Sequence, residues 1–285
     1  MEADRYTLGG FGFEPWGAFD YEFFCAWEEV DVSPPATVSI SIVSHGQMDL
    51  VCQLLDDIEK QCQGLALEVI LTLNLQGESL PDLPSYFFPV VVIRNTIAKG
   101  FGANHNQAFS KARGAFFCVL NPDIRMETNP FGSLISALSD ARVGIAAPVV
   151  LGANGDPEDS ARKFPTPFAI LQRIFTGYHR SAYYVTTGAF QADWAGGMFM
   201  LFPSPLFEKI GGFDERYFLY YEDVDLCGRL RLSGYSVVVV ADSKVIHLAQ
   251  RSSHKNIKFL FWHVTSLVRF FTSVTWMRLW MRGYL

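Results

Sequence analysis

Acidic residues at two places in this sequence could take part in catalysis. They are Asp123 and the run Glu222–Asp225. Asp123 follows the apolar run AFFCVLN (115–121) within the triplet Asn-Pro-Asp, so it is predicted to lie where a strand ends. A carboxylate in that position can hold Mg²⁺ or Mn²⁺ against a diphosphate. An Asp that caps the turn after the strand is the structural alternative.

The second cluster places Glu222, Asp223 and Asp225 directly before a helical pattern and after the aromatic stretch RYFLYY. Acids in the first turn of a helix are stabilised by the helix macrodipole, which would account for the cluster structurally. The aromatic neighbours would also desolvate a carboxylate, raise its pKa and make it a better general base. The cluster therefore predicts a proton acceptor.

The elements that must position these acids form an alternating pattern of strands and helices from Thr37 onward. Such alternation predicts β-α-β units and a mostly parallel sheet, whose ligands bind beyond the carboxyl ends of the strands. The predicted strands are 38–44, 67–73, 89–95, 115–121, 143–151 and 235–241, with helices at 48–63, 103–112 and 130–140. The residues that end the early runs are Ser44, His45, Asn74, Asn95, Asn121 and Asp123. His247, after the last run, is a further candidate metal ligand.

Composition limits the class of protein and its partners. The chain has 285 residues, 49% of them hydrophobic and 18% charged, which predicts a globular domain with appendages. Its net charge of −6 argues against nucleic acid as a partner, because phosphate binding needs a basic surface. Five cysteines without a C-x-x-C spacing, and an N-terminus without a signal-peptide pattern, predict a cytoplasmic protein.

Taken in chain order, these segments resemble glycosyltransferase family 2, and within it the rhamnosyltransferase-like members that extend bacterial surface polysaccharides. SISIVSHG and EVILTLN resemble the first two strands of the family, and KGFGANHNQAFSKARGAFFCVLNPD resembles its glycine-rich turn, helix and metal strand. DWAGGMFMLF and GGFDERYFLYYEDVDLCGRLRLSGY resemble the acceptor segment and the Glu-Asp signature. HLAQRSS resembles the closing His-plus-Ser pattern, so the resemblance covers residues 37–255.

The resemblance implies the GT-A (Rossmann-like) α/β fold and an inverting, metal-dependent transfer of a sugar from a nucleotide-sugar to a hydroxyl of a glycan or lipid-linked glycan. L-rhamnose from dTDP-rhamnose is the expected donor. Asp123 would bind Mg²⁺ or Mn²⁺, and His247 would add to that metal site or contact the phosphates. Asp223 would be the general base, and Glu222 would orient it or contact the acceptor. The expected contacts of the nucleotide-sugar are Ser44, His45, Asn74, Lys99, Gly100, Asn106, Asn121 and Asp123. Those of the acceptor are Trp194, Gly196, Gly197 and Asp225.

Three positions depart from the family pattern, and they bear on the nucleotide more than on the reaction. Leu73-Asn74 stands where members usually have Asp-Asn, Ala98 where they have Asn, and Pro203-Ser204 where a basic residue often follows. The missing Asp at position 73 and the missing Asn at position 98 favour one alternative, a non-catalytic glycan-binding or scaffolding protein derived from this fold. A nucleotidyltransferase, the other alternative, would need a basic phosphate-binding loop, which residues 44–50 lack.

The sequence divides into three predicted segments: an acidic, aromatic-rich appendage (1–36), the GT-A domain (37–254) and a basic, aromatic helical segment (255–285). Residues 251–285 contain six Lys or Arg and no acid. Three interpretations of the last segment are open: an interfacial helix at the inner face of the plasma membrane, a helix packed on the core, or a homodimer interface. A membrane position would suit a lipid-linked acceptor.

Overall fold

The structure is a computed structural model that describes residues 37–176, 188–248 and 257–285. The chain divides into two units, Met1–Pro34 and Pro35–Leu285, and the described residues lie in the second. The predicted appendage at 1–36, with its Cys25, lies outside the described residues.

A central sheet of nine strands, counted over the described ranges, organises the second unit. Its strands are β1 (Val38–Ser44), β2 (Leu67–Leu73), β3 (Val90–Arg94), β4 (Phe116–Leu120), β5 (Ile124–Arg125), β6 (Val143–Gly152), β8 (Ala189–Ala192), β10 (Phe199–Pro203) and β11 (Ser236–His247). The order is β3-β2-β1-β4-β10-β6-β11-β5, with β8 paired to β11. Neighbours β3 to β4 are parallel, as are β6 and β11, whereas β10 is antiparallel to β4 and β6.

Helices cover both faces of this sheet, and two short strands form a separate ladder beside it. The helices are α1 (Met48–Gln61), α2 (Phe101–Phe109), α3 (Phe131–Ala137), α4 (Pro167–Thr176), α5 (Ser204–Lys209), α6 (Glu222–Leu232), α7 (Ile257–Phe271) and α8 (Val274–Met281). The ladder pairs β7 (Ala161–Arg162) with β9 (Trp194–Ala195). The predicted α/β architecture with a helical C-terminal segment is confirmed. Over the described residues, none of the helices combines the length and the apolar character needed to cross a membrane.

The strand boundaries agree with the sequence pattern except at two places. β1 and β2 coincide with the predicted runs 38–44 and 67–73. β11 does not end at residue 241 as predicted but continues to His247. Its register against β6 shifts between Val240 and Lys244, and the strand goes on past this irregularity. Burial alternates only after this irregularity, which hides the continuation in the sequence. The second place is residues 161–176, where the sequence pattern predicts neither a strand nor a helix and the structure has β7 and α4.

The core consists of two apolar layers, one on each face of the sheet. Alternate residues of β4 supply both layers, with Cys118 and Leu120 on one side and Phe117 and Val119 on the other. α1 and α3 cover the first layer, and α2, α5 and α6 cover the second. The C-terminal helices contribute the buried side chains of Phe270 and Leu279 to the second layer. One face of the C-terminal segment is therefore packed on the core.

Candidate active site

The predicted metal ligands meet where β4, β5 and β11 come together. Asp123 lies between β4 and β5, and its carbonyl accepts a hydrogen bond of 2.8 Å from the amide of Leu248, just past the end of β11. His247 Nε2 lies 3.2 Å from Asp123 Oδ2. The other ring nitrogen, Nδ1, lies 2.8 Å from Glu158 Oε2. Sequence reasoning missed Glu158, although the polar loop that carries it, after β6, was a visible signal.

This group fits a divalent metal through two side chains. Burial disfavours the charge of His247, but hydrogen bonds and charges from Asp123 and Glu158 outweigh burial and raise its pKa to about 9. Asp123 Oδ1 is buried and has no hydrogen-bond partner among the described residues. A carboxylate oxygen with spare capacity, beside an imidazole oriented by a second carboxylate, is a common metal-ligand arrangement. No three His, Cys, Asp or Glu side chains of residues 37–176, 188–248 and 257–285 form an all-protein metal site.

The second acidic group begins α6 and follows a strained turn. Tyr220 and Tyr221 both have left-handed backbone conformations, with φ of 70° and 68°. Each such non-glycine residue costs on the order of 1–3 kcal/mol, so the surrounding structure must hold the turn. α7 does so: Ser266 Oγ donates a 2.9 Å hydrogen bond to the carbonyl of Leu219, and the Phe270 ring packs 5.6 Å from that of Tyr221. The turn presents Glu222 and Asp223 at the start of α6.

The two acids of this pair have different surroundings. Asp223 accepts hydrogen bonds from the backbone amides of Gly197, at 3.1 Å, and Val224, at 2.8 Å. Glu222 Oε2 is buried without a hydrogen-bond partner in the described part of the chain. Burial raises the pKa of both, and the charge of Asp223 raises the pKa of Glu222 further. The two amide donors favour the charged form of Asp223 and partly offset the effect of burial on its pKa, whereas burial and the neighbouring charge both disfavour the charged form of Glu222.

Two adjacent residues join this pair to the Asp123 group. The amide of Gly197 binds Asp223, and the carbonyl of Met198 accepts a 2.9 Å hydrogen bond from the amide of Asn121, two residues before Asp123. A Cβ on Gly197 would lie 3.0 Å from the Phe101 ring, so a larger residue would press on this junction. We call Asp123, Glu158, Glu222, Asp223 and His247 the acid cluster.

Three of the predicted acceptor residues, Trp194, Gly196 and Gly197, lie in or directly after β9 of the β7–β9 ladder. Gly197 also contacts Asp223. Trp194 Nε1 donates a 2.9 Å hydrogen bond to the carbonyl of Lys163, and the Arg162 guanidinium lies 5.4 Å from the centroid of the Trp194 ring. The Gly196 amide donates to the carbonyl of Ser160 at 2.8 Å. Burial raises the pKa of Asp223, and the Arg162 charge acts in the opposite direction. Arg162 is a second residue that sequence reasoning missed.

A network of side-chain amides occupies the ends of β2 and β3, and we call it the amide network. The nitrogen of the fully buried Asn74 side chain bonds to His45 Nε2 at 2.8 Å and to the Lys99 carbonyl at 2.9 Å. Its oxygen accepts from Asn95 Nδ2 and from the Lys99 amide. Asn95 Nδ2 also donates to Asn104 Oδ1. The side chain of Asn74 makes all of these hydrogen bonds to other parts of the protein. Its predicted contact with a nucleotide stays a prediction, and this geometry does not favour it.

The remaining predicted residues of this side surround the amide network. The hydroxyl of Ser44 donates to Glu78, which also accepts from the amide of Gly46 at 2.9 Å. A Cβ on Gly100 would lie 2.6 Å from the carbonyl oxygen of Phe218, so only glycine permits this approach to the chain before the strained turn. The glycine-rich segment thus contacts the segment that leads to Glu222.

Asn106 and Asp225 lie in structural contacts instead. Asn106 exchanges two hydrogen bonds of 2.9 Å with the backbone of Phe213. The buried Asp225 carboxylate accepts from Arg229 Nε at 2.8 Å, and Arg229 also donates to the carbonyls of Ile210 and Gly212. Both side chains therefore hold the loop before the strained turn, and their predicted ligand contacts stay predictions.

A cavity of about 940 Å³ lies at the other edge of the sheet. Thr37, Ala115 and Ser204 line it, at the amino ends of β1 and β4 and just past the end of the antiparallel β10. Since ligands of parallel sheets bind beyond the carboxyl ends, the acid cluster and not this cavity is the candidate active site.

A solved structure has the same architecture. GalNAc-T7, crystallised with UDP, GalNAc and Mn²⁺, is 16% identical to this chain with a TM-score of 0.60, and the similarity covers 76% of this chain and 44% of GalNAc-T7. The fold is thus GT-A, as expected. Residues 39–202, more than half of the chain, match the family described as Glycosyl transferase family 2. The chain belongs to glycosyltransferase family 2.

Two relatives are rhamnosyltransferases. Rhamnosyltransferase WbbL of Escherichia coli is 28% identical over 249 residues, which cover 82% of this chain and 92% of WbbL. The N-acetylglucosaminyl-diphospho-decaprenol L-rhamnosyltransferase of Mycobacterium tuberculosis is 30% identical over 150 residues, or 48% of each chain. The chain thus spans nearly the whole of the first relative and about half of the second.

Proposed function

We propose that this glycosyltransferase is an inverting rhamnosyltransferase that transfers L-rhamnose from dTDP-rhamnose to a hydroxyl of a glycan or lipid-linked glycan. Asp223 is the general base, and Asp123 and His247 hold Mg²⁺ or Mn²⁺. The similarity to two rhamnosyltransferases supports the sugar. The free thiols of Cys52, Cys62, Cys118 and Cys227 suit a reducing compartment, so we place the reaction in the cytoplasm or at the inner face of the plasma membrane.

One observation carries this proposal: each half of the acid cluster has a buried carboxylate oxygen without a partner. Asp123 Oδ1 and Glu222 Oε2 are both in this state within the described residues. A buried polar atom without a partner costs about 1–3 kcal/mol, so a ligand that gave partners to these two oxygens would recover that energy on binding. Since Gly197 and Met198 join the two halves, a donor and an acceptor could meet between them.

Asp223 suits the role of base. Burial raises its pKa, which increases its affinity for a proton, while hydrogen bonds from two backbone amides favour the charged form and fix the orientation of the carboxylate. The acceptor hydroxyl would give its proton to Asp223 as its oxygen bonds to the anomeric carbon. The bond from that carbon to the diphosphate oxygen breaks, and the diphosphate leaves with the electron pair. Attack opposite the leaving group inverts the anomeric centre.

Glu222 and the acceptor-side residues would position the substrate. The raised pKa of Glu222 favours its protonated form, and in that form its unpartnered carboxyl can donate a hydrogen bond to a sugar oxygen. Trp194 offers an aromatic ring with the Arg162 guanidinium over it, and the charge of Arg162 also acts on Asp223.

Asp123 and His247 would hold the metal, with Glu158 orienting the imidazole. A bound divalent cation neutralises the charge that develops on the leaving diphosphate. Two protein ligands suffice when phosphate oxygens and water complete the coordination, as is common for Mg²⁺ at nucleotide sites.

A donor screen tests the proposal. The purified chain is incubated with dTDP-rhamnose, UDP-sugars or GDP-sugars, with Mn²⁺, Mg²⁺ or EDTA, and an N-acetylglucosaminyl-diphospho-lipid as the first acceptor. We expect metal-dependent release of dTDP and a rhamnosylated product whose inverted anomeric centre is visible by NMR. Asp223→Asn should slow transfer by about 10²–10⁴-fold, the usual contribution of a general base.

Two outcomes would contradict the proposal. Donor binding without turnover by the wild type, across all donors, would favour a non-catalytic glycan-binding protein. Transfer of another sugar would keep the reaction but overturn the choice of rhamnose.

A further inference from the structure

The outer face of α7 is apolar and exposed. Ile257, Leu260, Phe261, Val264 and Val268 are exposed and recur at intervals of three and four residues, so they form one stripe along the helix. The buried residues of α7, Ser266 and Phe270, lie on the opposite side and contact the segment that carries the strained turn. The stripe is therefore not part of the core.

α8 adds a second exposed apolar surface to the same end of the chain. Val274, Met277, Trp280 and Met281 are exposed, whereas Thr275 and Leu279 pack against Gly228 of α6. A single turn at residues 272–273 joins the two helices, and their residues contact each other. We call these nine exposed apolar residues of α7 and α8 the outer face.

Charge decides what can cover the outer face. Lys258, Arg269, Arg278 and Arg282 are the charged residues of this helix pair, all are exposed, and no acid lies between residue 243 and the end of the sequence. A two-fold dimer through this face would bring cations of one copy near those of the other, with no acid in either helix pair to offset them. An anionic lipid surface would instead attract them, at about 1 kcal/mol for each basic residue near the surface.

We propose that the outer face of α7 and α8 docks on an anionic lipid bilayer. The helix pair would lie in the plane of the interface with Phe261 and Trp280 among the acyl chains and headgroups and the basic side chains at the phosphates. This interaction goes beyond sugar transfer and needs neither donor nor metal.

Vesicle sedimentation tests the docking surface. The full chain is mixed with vesicles of phosphatidylcholine alone or of phosphatidylcholine with phosphatidylglycerol. We expect binding to the phosphatidylglycerol vesicles, weakened by added salt because the attraction is screened. Phe261→Ser/Trp280→Ser should weaken binding at least about tenfold, because two large apolar side chains no longer enter the bilayer.

The chain offers a matched control. Ile257 and Ile97 are the same residue type with the same exposure, 80% and 79%, but only Ile257 lies on the outer face. Ile257→Ser should weaken vesicle binding about fivefold, and Ile97→Ser should leave it unchanged. In the same way, Lys258→Gln/Arg278→Gln should weaken binding more than Lys60→Gln/Lys111→Gln, two exposed lysines outside the helix pair.

Three results would overturn the proposal. The first is that the wild-type protein stays in the supernatant with both vesicle types. The second is that Ile257→Ser and Ile97→Ser lose vesicle binding equally. The third is that the wild type binds no vesicles but forms a dimer in light scattering, which Phe261→Ser/Trp280→Ser converts to a monomer. Because all substituted residues are exposed, thermal melts should match the wild type. Sugar transfer measured without vesicles reports on the proposed function separately, so either conclusion can fail alone.

Discussion

The amide network and the acid cluster lie at the same edge of one sheet but differ in how their polar groups are satisfied. In the amide network, Asn74 bonds to Asn95 and to the backbone of Lys99, and Asn95 also donates to Asn104. In the acid cluster, Asp123 and Glu222 each keep a buried oxygen without a partner in the described residues. A satisfied network fixes the shape of a scaffold, whereas the unpartnered carboxylate oxygens of the acid cluster are free to accept or donate bonds to the ligands that we propose.

Two neighbouring acids give the largest expected contrast. Asp223→Asn should reduce kcat by about 10²–10⁴-fold with a smaller loss of stability than Asp225→Asn, because the amide oxygen can still accept from Gly197 and only the hydrogen bond from Val224 is lost. Asp225→Asn should instead lower the free energy of unfolding by about 2 kcal/mol, because Arg229 loses its carboxylate. Kinetics and urea denaturation of both variants check this. The opposite pattern, with catalysis lost only in Asp225→Asn, would move the base to Asp225.

Glu158 tests whether the acid cluster holds a metal through an oriented imidazole. Glu158→Gln should weaken Mn²⁺ binding by about 10–100-fold, because His247 loses the carboxylate that orients its ring. Titration of Mn²⁺ followed by electron paramagnetic resonance measures the affinity. Glu127→Gln, which removes an exposed acid just after β5, is the control. Equal Mn²⁺ affinity in both variants would contradict this assignment.

Asn74 tests the other side of the comparison. Asn74→Ala should lower the free energy of unfolding by about 2 kcal/mol, because its buried partners His45 and Asn95 lose their hydrogen bonds. Gln76→Ala, an exposed amide two residues later, should have no such effect. If Asn74→Ala left stability unchanged but raised the KM for the nucleotide-sugar, the amide network would be a binding site after all.

The smallest expected effect is a change in how stability depends on pH. The pKa of Glu222 is raised by burial and by Asp223, so the folded state holds this proton more tightly than the unfolded chain. Its contribution to stability is present below the unfolded pKa of about 4.3 and is lost as pH rises toward the folded pKa. Between about pH 5 and about pH 8 the Tm of Glu222→Gln should therefore fall less than that of the wild type.

Thermal melts followed by circular dichroism at several pH values measure this difference. Glu127→Gln, with an exposed carboxylate, should follow the wild type. Parallel curves for the wild type and Glu222→Gln would mean that Glu222 ionises normally in the folded protein.

Sequence patterns were sufficient to predict most strands of the sheet and the place of Asp123 at the end of one of them. The β-branched runs defined β1 and β2, and the rule that ligands bind at carboxyl strand ends indicated Asp123. The resemblance to glycosyltransferase family 2 then paired Asp123 with His247, and the structure brings the two together.

Interactions between distant segments were not predictable in the same way. Glu158 and Arg162 gain their roles only from contacts with His247 and Trp194, which pattern and spacing do not reveal. Asn106 and Asp225 look like ligands because their partners, a backbone loop and Arg229, lie elsewhere in the fold. The left-handed conformation of two consecutive tyrosines likewise depends on packing and not on residue type.

The left-handed pair Tyr220–Tyr221 also implies a trade-off between thermal stability and activity. Glycine at either position would relieve the backbone strain. It would also loosen the strained turn that fixes the direction of Glu222 and Asp223, and it would remove a ring that packs against His263 or Phe270. Selection for a more heat-resistant enzyme would therefore find its gains elsewhere in the molecule, and a stabilising substitution here would lower turnover.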